Sequence, residues 1–127
     1  MSGVLVDSSV WVAHFKSPNP ALQALLADDR VLIHPLVVLE LACGTPPEPR
    51  QETLRIIQML RQVRSATAVE TVAFVEREQL YGQGCGAVDV SLLAGVLITP
   101  LARLWTLDKP LLTMALRLNV AYQALSA

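Results

Sequence analysis

The sequence predicts an α/β protein, a three-layer α/β/α sandwich around a central, mainly parallel sheet. Three observations carry that prediction. Short β-like runs alternate with helical patterns along the whole chain, the order produced when strands return through helices. Hydrophobic residues make up 53% of the 127 positions and charged residues only 17%, so the sheet is covered on both faces or a partner covers apolar surface. Parallel crossovers are right-handed, which sets the helices in layers against the sheet.

Each element follows in order. "GVLVD" (3–7) is the first strand, with a short helix beginning near Val10 and running through Phe15. "NPALQALLADD" (19–29) is a helix opened by a capping Asn and a proline in its first turn, and "RVLIH" (30–34) is the second strand. "PLVVLELACG" (35–44) begins on Pro35 and ends on Gly44, the punctuation of a helix, and "TPPEP" (45–49) is a loop. "QETLRIIQMLRQV" (51–63) sets Ile56, Met59, Leu60 and Val63 at helical spacing, so it reads as an amphipathic helix. A short strand is expected near "SATAV" (65–69), then a helix to about Tyr81. "GQGCG" (82–86) breaks the chain before the helix "AVDVSLLAGVLI" (87–98). "RLWTLD" (103–108) is a strand, "KPLLTMALRLN" (109–119) the last helix, and "VAYQA" (120–124) an edge strand.

At this length the chain is expected to form one domain over 1–127. The longest apolar run, "LLAGVLITPLA" (92–102), is too short to span a bilayer and contains Pro100, so no membrane is expected. No secretory signal is visible at the N-terminus, and Cys43 and Cys85 lack metal-ligand spacing. Both are expected to be small apolar fillers in a reducing cytoplasm. A net charge of −1 argues against a protein held to nucleic acid by bulk charge. Arg50, Arg55, Arg61 and Arg64 do cluster, either as the solvated face of a helix or as an RNA-contacting patch; the helix face is the simpler expectation.

Four of the eleven acids stand in apolar or strand-end surroundings: Asp7, Glu40, Asp89 and Asp108. Taken singly, each has an ordinary explanation. Asp7 or Ser8 would cap the helix that follows, and Asp89 lies in a first turn where the helix dipole favours a carboxylate. Asp108 would begin the last helix. Glu40 interrupts "LVVLELA", where an isolated ionised carboxylate in a dry helix is costly unless it is paired or bound to metal. Together they suggest more. Asp7 and Asp108 close strands, and Glu40 and Asp89 ride on helices that start just past strand or loop ends. Such positions can meet at the carboxyl edge of a parallel sheet. Carboxylates gathered there repel one another unless a cation joins them, and all-oxygen ligation suits Mg²⁺ or Mn²⁺.

The stretches "VLVDSSVWVAHF", "VVLELACG", "GAVDVSLLAGVL" and "LWTLDKPLL" resemble, in order, those of PIN domains, and among them the VapC-type toxins of bacterial toxin–antitoxin pairs. The resemblance implies a PIN-like fold, a metal-dependent endoribonuclease activity with RNA as substrate, and Asp7, Glu40, Asp89 and Asp108 as the acidic quartet. It implies Ser8 and Thr106 as hydroxyls near the metal, a cognate antitoxin over the acidic groove, and a homodimer. Two positions depart from the family pattern: Leu107, where a basic or amide residue is common, and Gly95, in a helix that usually runs through alanines. His14 and His34 are expected to be structural. Two alternatives are a PIN-fold binding module that does not cleave and a receiver-type Mg²⁺-binding signalling domain. The latter needs adjacent acids after the first strand and a phosphoacceptor aspartate after the third.

Overall fold

The computed structural model describes residues 2–124. Four parallel strands, β1 (Gly3–Val6), β2 (Val31–Ile33), β3 (Arg61–Gln62) and β4 (Ala102–Trp105), form one sheet in the order β3-β2-β1-β4. Leu5 at the centre faces Leu32 on one side and Leu104 on the other, and every residue of β1 and β2 is buried. Unbroken apolar strands are what a parallel sheet with both faces covered requires.

The first strands are linked by α1 (Ser8–Lys16) and α2 (Pro20–Ala27), the next pair by α3 (Pro35–Cys43) and α4 (Arg50–Gln58). The chain then passes through α5 (Ala68–Glu78) and α6 (Ala87–Ile98) to reach β4 on the far side of β1, and closes with α7 (Lys109–Arg117). The strand order runs outward from β1 to β3 and then reverses to β4. With right-handed crossovers that reversal moves the helices to the opposite face. The packing agrees: α3 lies against α1 and α4, while α5 lies against α6. The α/β/α prediction holds.

Helix punctuation matches the local chemistry. The Asn19 carboxamide accepts from the N–H groups of Ala21 and Leu22 at 2.9 and 3.1 Å, just ahead of Pro20. α6 occupies 87–98 as predicted. His34, expected inside the second strand, instead caps α3: its Nδ1 accepts from Leu36 N–H at 3.0 Å. Burial pulls its pKa below the usual histidine value. His14 Nδ1 likewise accepts from Asn19 N–H, so both histidines serve local structure.

The stretch 51–69 departs from expectation. α4 ends at Gln58, and the third strand is Arg61–Gln62 rather than a segment near 65–69. The apolar spacing misleads because Ile56 and Met59 are exposed while Ile57 and Val63 are buried. Hydrogen bonding decides it. Met59 and Leu60 donate to carbonyls three residues back, and Val63 N–H donates to Ile33 O at 3.0 Å, so a remote strand outcompetes the next helical turn. Residues 65–69 lead instead into a capping box, in which Thr67 Oγ1 accepts from Glu70 N–H and the Glu70 carboxylate accepts from Thr67 N–H. α1 begins at Ser8 rather than near Val10, and α5 stops at Glu78, where Gln79 takes a left-handed conformation. Of the expected edge strand at 120–124, the sheet keeps one parallel bridge, Leu104 with Ala121.

Gly95 has a packing reason. A Cβ at this position would stand 2.8 Å from the Arg64 carbonyl oxygen, a backbone atom that cannot swing aside. The same approach lets Thr99 Oγ1 accept from Arg64 N–H at 2.9 Å while donating to Gly95 O. Gly95→Ala gains up to about 1 kcal/mol of helix propensity but forces α6 off the β3 exit, an overpacking cost of about 1–3 kcal/mol. The expected outcome is a lower melting temperature than wild type, read by circular dichroism. An unchanged or higher melting temperature contradicts the close approach.

Candidate active site

The order reversal between β1 and β4 places two strand ends side by side at the carboxyl edge, where open α/β sheets hold their ligands. Asp7 follows β1 and its N–H donates to Trp105 O, the last residue of β4, at 2.9 Å. Its side chain is buried, 5% exposed. Asp7 occupies the N-cap position of α1, yet its side chain makes no capping bond. Two hydroxyls claim it instead: Ser9 Oγ and Thr106 Oγ1 each donate to Asp7 Oδ2 at 2.7 Å. Both hydroxyls then accept from the backbone beyond β4, Ser9 from Leu107 N–H and Thr106 from Asp108 N–H, each at 3.0 Å. The carboxylate is locked in one orientation with Oδ2 engaged twice.

The other acids border this lock. Glu40 lies on the exposed face of α3, where Ser8 Oγ donates to Oε1 at 2.9 Å. The dry helix expected around it is therefore corrected: Val37 and Leu41 are buried, and Leu39 is 57% exposed. Position, not desolvation, distinguishes Glu40. Asp108 is exposed and caps α7, with Oδ2 accepting from Leu111 N–H at 3.0 Å. Its capping explanation is correct, and it leaves Oδ1 facing away from that bond. Asp89 sits in the first turn of α6, where the Gly86 N–H reaches Oδ2 only at 3.4 Å. Gly86 has no side chain, so only this half of a capping box exists.

Electrostatics tie the four together. Burial pushes the Asp89 pKa above the ordinary aspartate value, the long bond from Gly86 opposes that, and the negative charges of Asp108, Asp7 and Glu40 raise it further. Burial and then the charges of Asp89 and Asp108 also push up the Cys85 thiol. The ion pairs among the described residues, Arg55 with Glu52 and Arg77 with Glu78, involve none of the four acids. Among the described residues, no three His, Cys, Asp or Glu side chains stand close enough to hold a metal ion between them directly. The charges of Asp108, Asp7 and Glu40 all reach Asp89 at the switch point, yet among the described residues no three of these acids close on one point.

The arginines do not share one helix face. Arg50 donates to Ala42 O at the end of α3, and Arg55 pairs with Glu52 on α4. Arg61 lies on β3 with Nε and Nη2 buried and unpartnered, and Arg64 is exposed just beyond. The solvated-helix expectation fails for the latter two because α4 has already ended.

Ser9 was not singled out from the sequence, although the Asp-Ser-Ser run held the signal: a hydroxyl two residues after the carboxylate can fold back onto it.

A buried carboxylate at the switch point of a parallel sheet, with three more acids bordering it, defines the class: an α/β protein with an acidic sheet edge. Two curated proteins from Mycobacterium tuberculosis, both called Ribonuclease VapC32, from strains CDC 1551 / Oshkosh and H37Rv, are each 43% identical to this chain over 108 residues, 85% of this chain and 86% of theirs. The chain belongs to the VapC ribonuclease family. No protein-family model matches it.

Because its folded-state proton affinity is raised, Asp89 carries a cost that appears as pH climbs past its unfolded value near 3.9 and is complete above its folded value. Asp89→Asn keeps an oxygen for Gly86 N–H and removes the charge. In EDTA at neutral pH the variant is expected to melt at or above the wild-type temperature, the difference shrinking as the pH is lowered to about 4. A variant that melts lower at neutral pH shows that Asp89 is chiefly a cap.

Proposed function

We propose that this chain is a metal-dependent endoribonuclease, the toxin of a type II toxin–antitoxin pair, formed as one PIN-like domain over 1–127. The observation that carries the reading is the hydroxyl-locked Asp7 beside an Asp89 whose proton affinity is raised first by burial and then by the charges of Asp108, Asp7 and Glu40. An oxygen-only donor set suits a hard cation. Mg²⁺ commonly keeps several waters and takes one or two carboxylates, which agrees with an open acidic edge rather than a closed cage. Asp7 and Asp89 would hold Mg²⁺ or Mn²⁺ directly, with Glu40 and Asp108 in contact or acting through waters. Such an ion, when bound, supplies an acidified water and charge stabilisation at a phosphodiester.

The chain's own groups divide the remaining work. Ser9 and Thr106 hold Asp7 Oδ2, which leaves Oδ1 for the open side of the site. Ser8 steadies Glu40. His14 and His34 each use Nδ1 to accept a backbone N–H, which gives both a local structural role. Of the arginines proposed to contact RNA, Arg64 has the strongest support, because it is exposed and makes no side-chain bond among the described residues. Exposed Val69 and Val72 on α5 and Leu97 and Ile98 on α6 support a homodimer, and a cognate antitoxin is proposed to cover the acidic groove. No helix among the described residues is long and apolar enough to cross a membrane, and a cytoplasmic setting is proposed. Nothing favours the receiver-type alternative, since Val63 and Arg64, not an acid, follow β3.

Asp7→Asn and Asp89→Asn are expected to lose RNA cleavage in Mg²⁺ or Mn²⁺ while keeping the wild-type circular dichroism spectrum. Ser9→Ala and Thr106→Val are expected to lose about 10–100-fold in activity or metal affinity, the usual effect of removing a partner that orients a ligand. Folded Asp7→Asn protein with full activity at limiting Mg²⁺ contradicts the assignment.

A further inference from the structure

A cleft of about 440 Å³ opens from the acidic site between α1, the end of α3 and the loop after it. Ser8, Val12, Phe15 and Lys16 line one wall, recurring at the spacing of a single helix face, and Glu40 and Pro47 lie opposite. Ser8 and Glu40 are hydrogen-bonded to each other and belong to the acidic edge, so the cleft is continuous with the site rather than separate from it. Its inner end is negative through Glu40. Its outer end carries Lys16, exposed and in no ion pair among the described residues, about 12 Å along the axis of α1 from Ser8. Between the two ends the walls are mainly apolar, with Phe15 among them and Thr45 the polar exception.

Resting on the ribonuclease reading, we propose that this cleft is a nucleotide subsite. It takes a nucleotide neighbouring the scissile phosphate, with Lys16 binding that nucleotide's phosphate and the Phe15 and Pro47 side receiving its base. The charge order fixes the direction. A phosphate is repelled at the Glu40 end and attracted at the Lys16 end, while an uncharged base fits the apolar middle. Ring faces and cations interleaved along a groove are what single-stranded RNA binding uses. Lys16 is thus a substrate-positioning residue outside the acidic edge.

The test measures binding of a fluorescent single-stranded RNA oligonucleotide to full-length Asp89→Asn protein in millimolar Mg²⁺ across a salt series, with and without Lys16→Ala. Losing one phosphate contact is expected to weaken binding about three- to tenfold near 0.1 M salt and to flatten the log–log salt slope by about 0.7. Lys16→Arg is expected to restore both. In the otherwise wild-type enzyme, Lys16→Ala is expected to raise KM for RNA with little change in kcat. An unchanged Kd and salt slope, in a protein whose parent binds and cleaves RNA, overturns the subsite and leaves the ribonuclease reading intact. Lys16→Ala that weakens only a protein partner's complex also overturns it, assigning the cleft to that partner. Wild-type protein that neither binds nor cleaves RNA removes both readings.

Discussion

Asp7 Oδ2 accepts two hydrogen bonds, from the Ser9 and Thr106 hydroxyls, and the rest of the site depends on that pair. Each hydroxyl also accepts a backbone N–H from the segment after β4, so the carboxylate clamps the exits of two adjacent strands. The Ser9 and Thr106 oxygens lie 3.4 Å apart, but with both protons directed at Asp7 neither has one left for the other. A buried carboxylate without such donors is costly, and with them it becomes a fixed point. Asp108 is placed by the same network, because Thr106 anchors its N–H and the Asp108 side chain then starts α7.

Around that fixed point the fold gathers negative charge and offers it no arginine or lysine partner among the described residues. Structural ion-pair networks neutralise their acids; here Asp89 is left without a cation, and burial together with the charges of Asp108, Asp7 and Glu40 raises its proton affinity. Stability is given up at the sheet edge and recovered in the core, where Leu5, Ile33, Leu92, Leu93 and Leu104 are fully enclosed. Repulsion of this kind is what a divalent cation would relieve in the proposed reading, even with few direct ligands.

Much of this was legible in the sequence wherever the cause is local. Asn19 through its own carboxamide, and Pro35, Gly44 and Gly86 through their backbones, punctuate helices, and α6 follows from "GCGAVDVSLLAGVLI" alone. The Asp7 and Asp108 positions follow from where apolar strands stop. What stayed hidden depends on remote partners. β3 is two polar edge residues recognisable only by pairing with β2. Ile57 rather than Ile56 is buried because α4, packed against α3, turns its Ile57 side to the core, an orientation the helix period alone does not fix. The six apolar neighbours of Glu40 in the sequence do not enclose it, because only part of α3 faces the core. Ser9 gains its role from Thr106 and Leu107, nearly a hundred positions away.

Asp7 and Asp89 are proposed to act together on one cation, with the charges of Glu40 and Asp108 bearing on Asp89. The most direct measurement is calorimetric titration of Mn²⁺ into metal-free protein between about pH 5 and 7, beside Asp89→Asn. The account predicts saturable binding by the wild type that tightens with pH and releases protons at the acid end, with the variant binding more weakly and with less pH dependence. Equal affinity and equal proton release in both proteins, or no saturable binding by the wild type, contradicts it.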